Sequence, residues 1–190
     1  MSAFSFLLVF VTFILSLAVS DLCVSLNRLL EAGDKVRWDW LSPMAALVAL
    51  LKVVTQWWQW FGADKLAQGV TFEMFLLLVA GAVLLFLVAA AALPDRVEDA
   101  GVDLRAYYAQ TARRYWLLFG AQYLAVNVFD IWVQMDVAGA RLGWTTAEIA
   151  LLPTATVVLA IVRNRALHTV ALAGLIALYL LQLAGHRLGA

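Results

Sequence analysis

The sequence carries little charge and a single cysteine. Only 14% of its 190 residues are charged, whereas ordinary soluble domains have about 25%. Acidic and basic residues also cancel to a formal net charge of +0, which excludes the overall positive field typical of proteins that bind nucleic acid. Because Cys23 is the only cysteine, the chain has neither an intramolecular disulfide framework nor a multi-cysteine zinc site.

Sequence motifs of enzyme chemistry are lacking as well. The chain contains no H-E-x-x-H pair, phosphate-binding loop or G-x-S-x-G elbow. Its two histidines, His168 and His186, fall near opposite ends of one predicted helix, about 27 Å apart at the α-helical rise. They cannot ligate one metal ion or haem together. We therefore predict no catalytic residue, no metal site and no cofactor.

Apolar residues, by contrast, make up 65% of the chain. A helix that crosses a bilayer needs roughly 20 mainly apolar residues. The sequence predicts one all-α membrane domain over residues 1–190, and Pro153 predicts a kink in its fifth helix. The six predicted transmembrane helices cover residues 3–26, 42–61, 71–93, 115–135, 145–162 and 167–184.

The basic residues predict how this bundle is oriented. The loops after predicted helices 1, 3 and 5, which we call the odd loops, carry nine Lys and Arg residues, against three on the opposite side. This bias predicts cytoplasmic odd loops and outside termini in the cell inner membrane. Aromatic residues at the predicted helix ends favour headgroup belts on both sides. The inner belt would contain Trp38, Trp40, Tyr107, Tyr108, Tyr115 and Trp116, and the outer belt Trp57, Trp58, Trp60, Trp132 and Trp144.

The longest loop, residues 94–114, predicts a short helix of its own. Asp103 is a suitable N-cap, and apolar residues follow it at helical spacing. We expect an amphipathic helix over residues 103–114 that lies at the inner interface before the fourth span. Its predicted lipid-interface residues are Arg105, Arg113, Arg114, Tyr107 and Tyr108. Alternatively, the arginines only set the topology.

This block also carries a resemblance. It contains Leu93-Pro94-Asp95, then Asp103-Leu104-Arg105-Ala106-Tyr107-Tyr108, then Arg113-Arg114-Tyr115-Trp116. In these segments the chain resembles uncharacterised bacterial inner-membrane proteins with six helices. The resemblance implies the six-helix fold and brings no activity, substrate or catalytic residue with it.

Two residue pairs suggest an inverted repeat of three helices plus three. Asp21 and Asp130 lie 109 residues apart, and Pro43 and Pro153 lie 110 apart, in corresponding predicted helices. Transporters are often built from such halves, which are inverted because an odd number of crossings reverses the chain direction.

Ionisable residues at membrane depth are costly and usually mark a pathway or a partner. Here they continue into polar stripes on predicted helices 1, 2 and 4, which would meet in one polar seam. The seam consists of Asp21, Lys52, Gln56, Gln59, Asn127, Asp130 and Gln134. It predicts a small transporter or channel, proton-linked if Lys52 is the charge partner of Asp130 or Asp21. Alternatively, the same groups only hydrogen-bond helices to one another, or meet across a homo-oligomer interface.

A second class of function stays open. The chain would then be a non-enzymatic accessory, sensor or scaffold protein that binds lipid or another membrane protein through its polar and aromatic faces. In either case the lipid bilayer is a partner, and nucleic acid is not. Convergence of Lys52 and Asp130 on a wet cavity would favour transport.

Overall fold

A computed structural model describes residues 3–61, 71–138 and 145–185 of the chain. Within these ranges the chain is all-helical, with one two-residue strand pair. A 3₁₀ turn over Gly33–Lys35 follows the first helix. The α-helices are α1 (Ala3–Ala32), α2 (Leu41–Phe61), α3 (Phe72–Ala92), α4 (Leu104–Ala138), α5 (Thr145–Ile161) and α6 (Arg165–Gly185), and the strands are β1 (Val36–Arg37) and β2 (Val102–Asp103).

The even-numbered helices begin at the same end of the molecule, and each has a side-chain cap. The carboxylate of Asp103 accepts the backbone N–H groups of Arg105 and Ala106 at the start of α4, at 2.9 and 3.1 Å. Asp39 accepts the N–H of Leu41 before α2, and Asn164 accepts that of Ala166 before α6. Asp and Asn at such positions satisfy N–H groups that lack an intrahelical partner. The predicted N-cap at Asp103 is confirmed.

Four of the helices are long and apolar enough to cross a membrane, judged by length and composition. They are α1, α2, α3 and α6. Helix α5 contributes only a shorter apolar stretch, Leu151–Ile161. Helix α4 is longer than any of them but contains arginines, acids and amides along its length. The helical fold class is therefore confirmed. The helices at the fourth and fifth predicted spans, α4 and α5, are not both long and apolar enough to count as candidate spans.

Residues 103–114 do not form a separate interfacial helix, contrary to the sequence-based prediction. They are the cap and first turns of α4, which continues without a break to Ala138. Neither glycine nor proline occurs between Leu104 and Phe119, so nothing in the sequence interrupts the helix. Leu104, Tyr108 and Ala112 are also buried against the other helices, so this face packs into the protein core.

Helices α2, α3 and α4 form the centre of the bundle. Helix α4 packs closely against α3 and α5, while α1 lies on α3 and α6 lies on α2. Helix α2 also packs on α3 and α1, and it contacts α4. An inverted repeat would require α4 to pack on α6 as α1 packs on α3, and the described residues of α4 and α6 form no comparable pair. The helix packing therefore does not reproduce the predicted repeat.

A glycine allows a close contact between α4 and α5. A Cβ atom placed on Gly120 of α4 would overlap the hydroxyl of Thr156 on α5. That hydroxyl is held in place by its hydrogen bond to the carbonyl oxygen of Pro153, at 2.6 Å. Pro153 lies inside α5, so the carbonyl that receives this bond belongs to the proline turn. The absence of a side chain at Gly120 therefore brings α5 against α4.

The three odd loops meet at one end of the bundle. Val36 and Arg37 pair in parallel with Val102 and Asp103, which joins the first odd loop to the second. Gly101 makes this pairing possible, because it has a φ of +89° and a Cβ there would collide with the carbonyl oxygen of Lys35. The third odd loop joins the first through an ion pair between Arg165 and Asp39 at 2.6 Å.

Candidate functional site

A pocket of about 380 Å³ opens where the odd loops meet. This volume is within the roughly 300–1,000 Å³ range of small-molecule pockets. Its walls come from the first turns of α4, the end of α5, the α5–α6 linker and the starts of α2 and α6. The polar lining residues are Arg105, Tyr108, Gln110, Arg113, Arg163, Arg165 and His168, and the apolar ones are Leu41, Ala109, Ala112, Leu159, Ala160 and Val162. We call this space the basic pocket.

Four arginines line the basic pocket, and one of them already has an anionic partner. Arg165 forms the ion pair with Asp39 and lies over the ring of Trp40, 5.3 Å from its centroid. In the part of the chain that the structure describes, Arg105, Arg113 and Arg163 have no carboxylate within 4.0 Å. All three are exposed. Three arginines that have no carboxylate partner among the described residues therefore line a single pocket.

The predicted lipid-interface residues separate into two groups. Arg105, Tyr108 and Arg113 line the basic pocket, whereas Arg114 and Tyr107 do not. The Tyr107 hydroxyl donates to the carbonyl oxygen of Leu93 at 2.8 Å and so ties α4 to the end of α3. Burial raises the pKa of Tyr107 to about 12, which keeps this donor protonated.

A network of three ring side chains lies beneath the arginines. His168 Nε2 lies 2.8 Å from the carbonyl oxygen of Val162, and since a carbonyl only accepts, Nε2 carries the hydrogen. The Tyr108 hydroxyl then donates to His168 Nδ1 at 2.9 Å and accepts from Trp116 Nε1 at 3.2 Å. Burial raises the pKa of Tyr108 to about 12, so the hydroxyl remains a donor.

The Tyr108 hydroxyl and Trp116 Nε1 both lie within hydrogen-bond distance of His168 Nδ1. In the described structure, His168 joins the linker, α4 and α6 at the pocket floor.

The burial of these rings corrects part of the predicted inner belt. Tyr108, Tyr115 and Trp116 are buried in the helix core. The Tyr115 hydroxyl donates to the carbonyl oxygen of Ala45 on α2 at 3.0 Å, so its polar tip is satisfied inside the protein. Trp38 and Trp40 are exposed, as an interfacial belt requires. The position of an aromatic residue near a predicted helix end could not show whether its ring is buried in the core or exposed.

A second polar cluster lies deeper in the bundle. Lys52 of α2 is only 5% exposed, and its ammonium group lies 4.3 Å from the centroid of the Tyr123 ring on α4. Such cation–π contacts stabilise a buried cation. The Tyr123 hydroxyl is hydrogen-bonded to that of Tyr179 on α6. This contact joins the predicted polar faces of α2 and α4 to a helix that the seam did not include.

Two buried glutamines extend this cluster by one turn. Gln122 Nε2 donates to Gln56 Oε1 at 3.5 Å. The Oε1 atom of Gln122, which is fully buried, has no hydrogen-bond partner among the described residues. A buried acceptor left unpaired is costly, so this position is suited to a water molecule or a polar ligand. We call Lys52, Gln56, Gln122, Tyr123 and Tyr179 the deep cluster.

Several predicted seam residues lie away from the deep cluster. Asp21 is near the odd loops, where it interacts electrostatically with Asp95 and Arg28. Gln59 and Asp130 are exposed and Asn127 is half-buried, while the side chain of Gln134 lies outside the described part. Asp130 is within electrostatic range of Lys52, yet the described side chains form no ion pair between them.

Sequence reasoning missed several residues of each site. Arg163, Arg165 and His168 were only topology markers or interfacial residues until the odd loops converged around them. Gln122 and Tyr179 were missed because a single amide or phenol on an apolar helix gives no periodic signal. Each becomes recognisable only when α4, α5 and α6 are placed together.

Neither polar site acquires a function from known proteins. The chain matches no family model, no curated protein and no solved structure. The resemblance carried by Leu93-Pro94-Asp95 and the segments after it therefore stays a prediction.

Proposed function

We propose that this chain is an integral membrane protein that binds an anionic, phosphoryl-bearing group in the basic pocket. The observation that carries this proposal is the set of Arg105, Arg113 and Arg163 around one pocket, without a carboxylate partner among the described side chains. Arginines held close together repel one another, and a bound anion would offset that repulsion. The proposal follows the accessory or sensor class of function rather than an enzymatic one.

Membrane insertion is part of this proposal. Four helices are sufficiently apolar to span, and we propose that α4 and α5 cross as well, with Gln122 and Tyr123 of α4 and Thr156 of α5 buried against neighbouring helices. The contacts that gather the odd loops at one end fit six alternating crossings. The basic bias of those loops supports a location of the loops, and of the pocket, on the cytoplasmic side of the inner membrane. The pocket would then lie at the level of the lipid headgroups.

The chemistry of the pocket suits a phosphoryl group. A guanidinium presents a planar fork of donors that matches two oxygens of one phosphate, so three guanidiniums can cover a tetrahedral anion. The amide of Gln110 adds a neutral donor at the same wall. Arg165 is already held by Asp39, so it shapes the pocket without adding free charge.

Binding by purified protein tests the proposal. We would reconstitute the full chain in phosphatidylcholine nanodiscs that contain a small fraction of phosphatidic acid, and measure lipid occupancy by native mass spectrometry after extraction. A parallel titration with glycerol 3-phosphate, followed by thermal shift, tests a soluble source of the same phosphoryl group. The variant is the triple substitution Arg105→Gln, Arg113→Gln and Arg163→Gln. The control is the triple substitution Lys35→Gln, Arg96→Gln and Arg114→Gln, which removes equal charge outside the pocket.

Phosphatidic acid, glycerol 3-phosphate or both should bind to the wild type. The proposal predicts that the pocket variant binds the same probe more weakly, by about tenfold in affinity per arginine removed. The control variant should keep binding within about threefold, because it changes only the diffuse field that salt screens. If both variants lost binding equally, the arginines would act only through non-specific charge, and the proposal would be wrong.

Transport is a second candidate, because of the deep cluster. A Gln122 Oε1 atom without a partner among the described residues, in the same cluster as a buried cation, is an arrangement that a passing polar solute or proton carrier could use. However, Lys52 and Asp130 do not converge on a described cavity, and Asp130 is exposed. The geometry therefore supports this candidate less well than anion binding.

Proteoliposomes decide whether transport occurs. Lys52→Met should abolish any flux of protons or small ions across the vesicle membrane while the protein still folds. Lys35→Met, in the first odd loop, is the matched control and should leave flux unchanged. If wild-type vesicles show no flux above empty vesicles for protons, alkali cations and halides, the transport candidate is abandoned for these solutes.

A further inference from the structure

Two helices that border the basic pocket, α5 and α6, diverge from one another. Helices α5 and α6 are joined by a three-residue linker, Val162 to Asn164. Such a short linker normally brings two helices together as an antiparallel pair. Here α5 packs on α4 and α6 packs on α2, and the described parts of α5 and α6 do not form a closely packed pair. We call the space between them the α5–α6 cleft.

Helices α4 and α6 form the floor of this cleft, and long side chains keep these two helices apart. Helices α4 and α6 run in the same direction, and they are joined at two levels by side chains meeting at their polar tips. Tyr108 contacts His168 near the pocket, and Tyr123 contacts Tyr179 deeper in the bundle. Two phenol groups that meet at their hydroxyls keep the helix backbones farther apart than direct packing would. The cleft therefore has polar ties at its floor and apolar walls.

The walls of the cleft begin at the pocket itself. Leu159 and Ala160, on the last turns of α5, line the basic pocket. Beyond them, Val158 and Ile161 on α5 and Val170 on α6 are exposed apolar residues. The pocket is therefore charged on its α4 side and at the linker, and apolar on its α5 side. An amphiphile with an anionic head and a hydrocarbon chain has this same division.

We propose that the ligand of the basic pocket is an anionic phospholipid whose acyl chain enters the α5–α6 cleft. This inference rests on the proposed function and specifies its ligand. Charge complementarity places the phosphate against Arg105, Arg113 and Arg163, and the continuity of the pocket with the end of α5 places the chain. A free phosphate ester could use the arginines but would leave the apolar side of the pocket empty.

A bulky residue at the entrance of the cleft tests the placement of the chain. Ala160→Trp should lower occupancy by phosphatidic acid in nanodiscs about tenfold, because the indole fills the space that the chain requires. Binding of glycerol 3-phosphate should change by less than about twofold, because it needs only the arginines. Leu30→Trp on α1 is the control, since Leu30 is exposed and belongs neither to the pocket lining nor to the α5–α6 cleft.

A wild-type measurement removes any dependence on the folding of that variant. Phosphatidic acid with a diazirine in the middle of one acyl chain is photolysed in the nanodiscs, and the labelled peptides are mapped by mass spectrometry. The inference predicts labelling concentrated on residues 157–161 and 167–174, and its loss in the pocket triple variant. Labelling spread evenly over the exposed faces of α1 and α3, and unchanged in that variant, would overturn the inference.

The two proposals fail in different ways. If glycerol 3-phosphate binds through the three arginines as well as the lipid does, and labelling avoids the cleft, anion binding stands and the lipid inference is wrong. If neither probe depends on the arginines, the proposed function itself is wrong. If the lipid depends on the arginines and labels the cleft, both are supported.

Discussion

Tyr108 and His168, 60 residues apart in sequence, share a hydrogen bond of 2.9 Å at the floor of the basic pocket. The same histidine ring donates to the carbonyl oxygen of Val162, so the bond joins α4 and α6 to the linker that carries Arg163. The positions of the pocket arginines on three segments therefore depend on one buried polar network.

Removal of the Tyr108 hydroxyl should destabilise the protein measurably. Tyr108→Phe leaves His168 Nδ1 and Trp116 Nε1 with only their 3.4 Å contact, which should lower the free energy of unfolding by about 1–3 kcal/mol. Thermal unfolding in detergent measures the loss. A double-mutant cycle with His168→Leu should show coupling of at least about 0.5 kcal/mol, and additive losses would disprove the network.

Gly120 should tolerate no side chain. Gly120→Ala places a methyl group against the Thr156 hydroxyl and should cost about 1–3 kcal/mol through overpacking between α4 and α5. Gly174→Ala is the matched control, because nothing lies within 4 Å of a Cβ there. Thr156→Ala should restore most of the loss in the Gly120→Ala background. Equal melting temperatures for both glycine variants would contradict the packing described for α4 and α5.

The two glycines with positive φ should respond differently to alanine. Gly101→Ala combines a φ of +89° with a collision at the Lys35 carbonyl, so it should separate β1 from β2 and cost more than about 2 kcal/mol. Gly33→Ala, with a φ of +52° and open space around it, should cost only about 1 kcal/mol. Thermal unfolding of both variants gives the comparison. A smaller loss for Gly101→Ala than for Gly33→Ala would show that the loops are not held together by this pairing.

Loss of the ion pair between Asp39 and Arg165 should lower the stability of the protein without weakening anion binding. Asp39→Asn removes the carboxylate that pairs with Arg165. The Asp39 side chain is 8% exposed, and that of Arg165 is 35% exposed. We expect a loss of about 1–2 kcal/mol, less than for a fully buried pair because water screens the arginine. Anion binding should be retained or tightened, because Arg165 becomes available to the ligand. A loss of binding with unchanged stability would contradict the role given to Arg165.

Local features of the fold could be predicted from the sequence, and long-range ones could not. The N-cap at Asp103 and the apolar runs of α1 and α3 depend on neighbouring residues, so spacing alone identified them. The continuity of α4 was missed because arginines next to tyrosines suggested a membrane surface, whereas tertiary packing buries Tyr108.

The candidate sites show the same division. Lys52 and Gln56 were predicted because a cation and an amide at helical spacing inside an apolar run are unusual. Helix 1 was expected to add its polar stripe, but Ser16 and Ser20 are exposed, and Ser16 bonds to a carbonyl of its own helix. Arg163 could not be predicted as a site residue from the sequence, because the residues that line the pocket with it come from distant segments.

The direct test of the basic pocket compares two adjacent arginines. Arg113 lines the pocket and Arg114 does not, although both are exposed on the same helix and carry the same charge. Phosphatidic acid binding to Arg113→Gln and Arg114→Gln is measured in matched nanodiscs at fixed salt. The account predicts a loss of about tenfold or more for Arg113→Gln and less than about twofold for Arg114→Gln. Equal losses for the two variants would contradict a built anion site in the pocket.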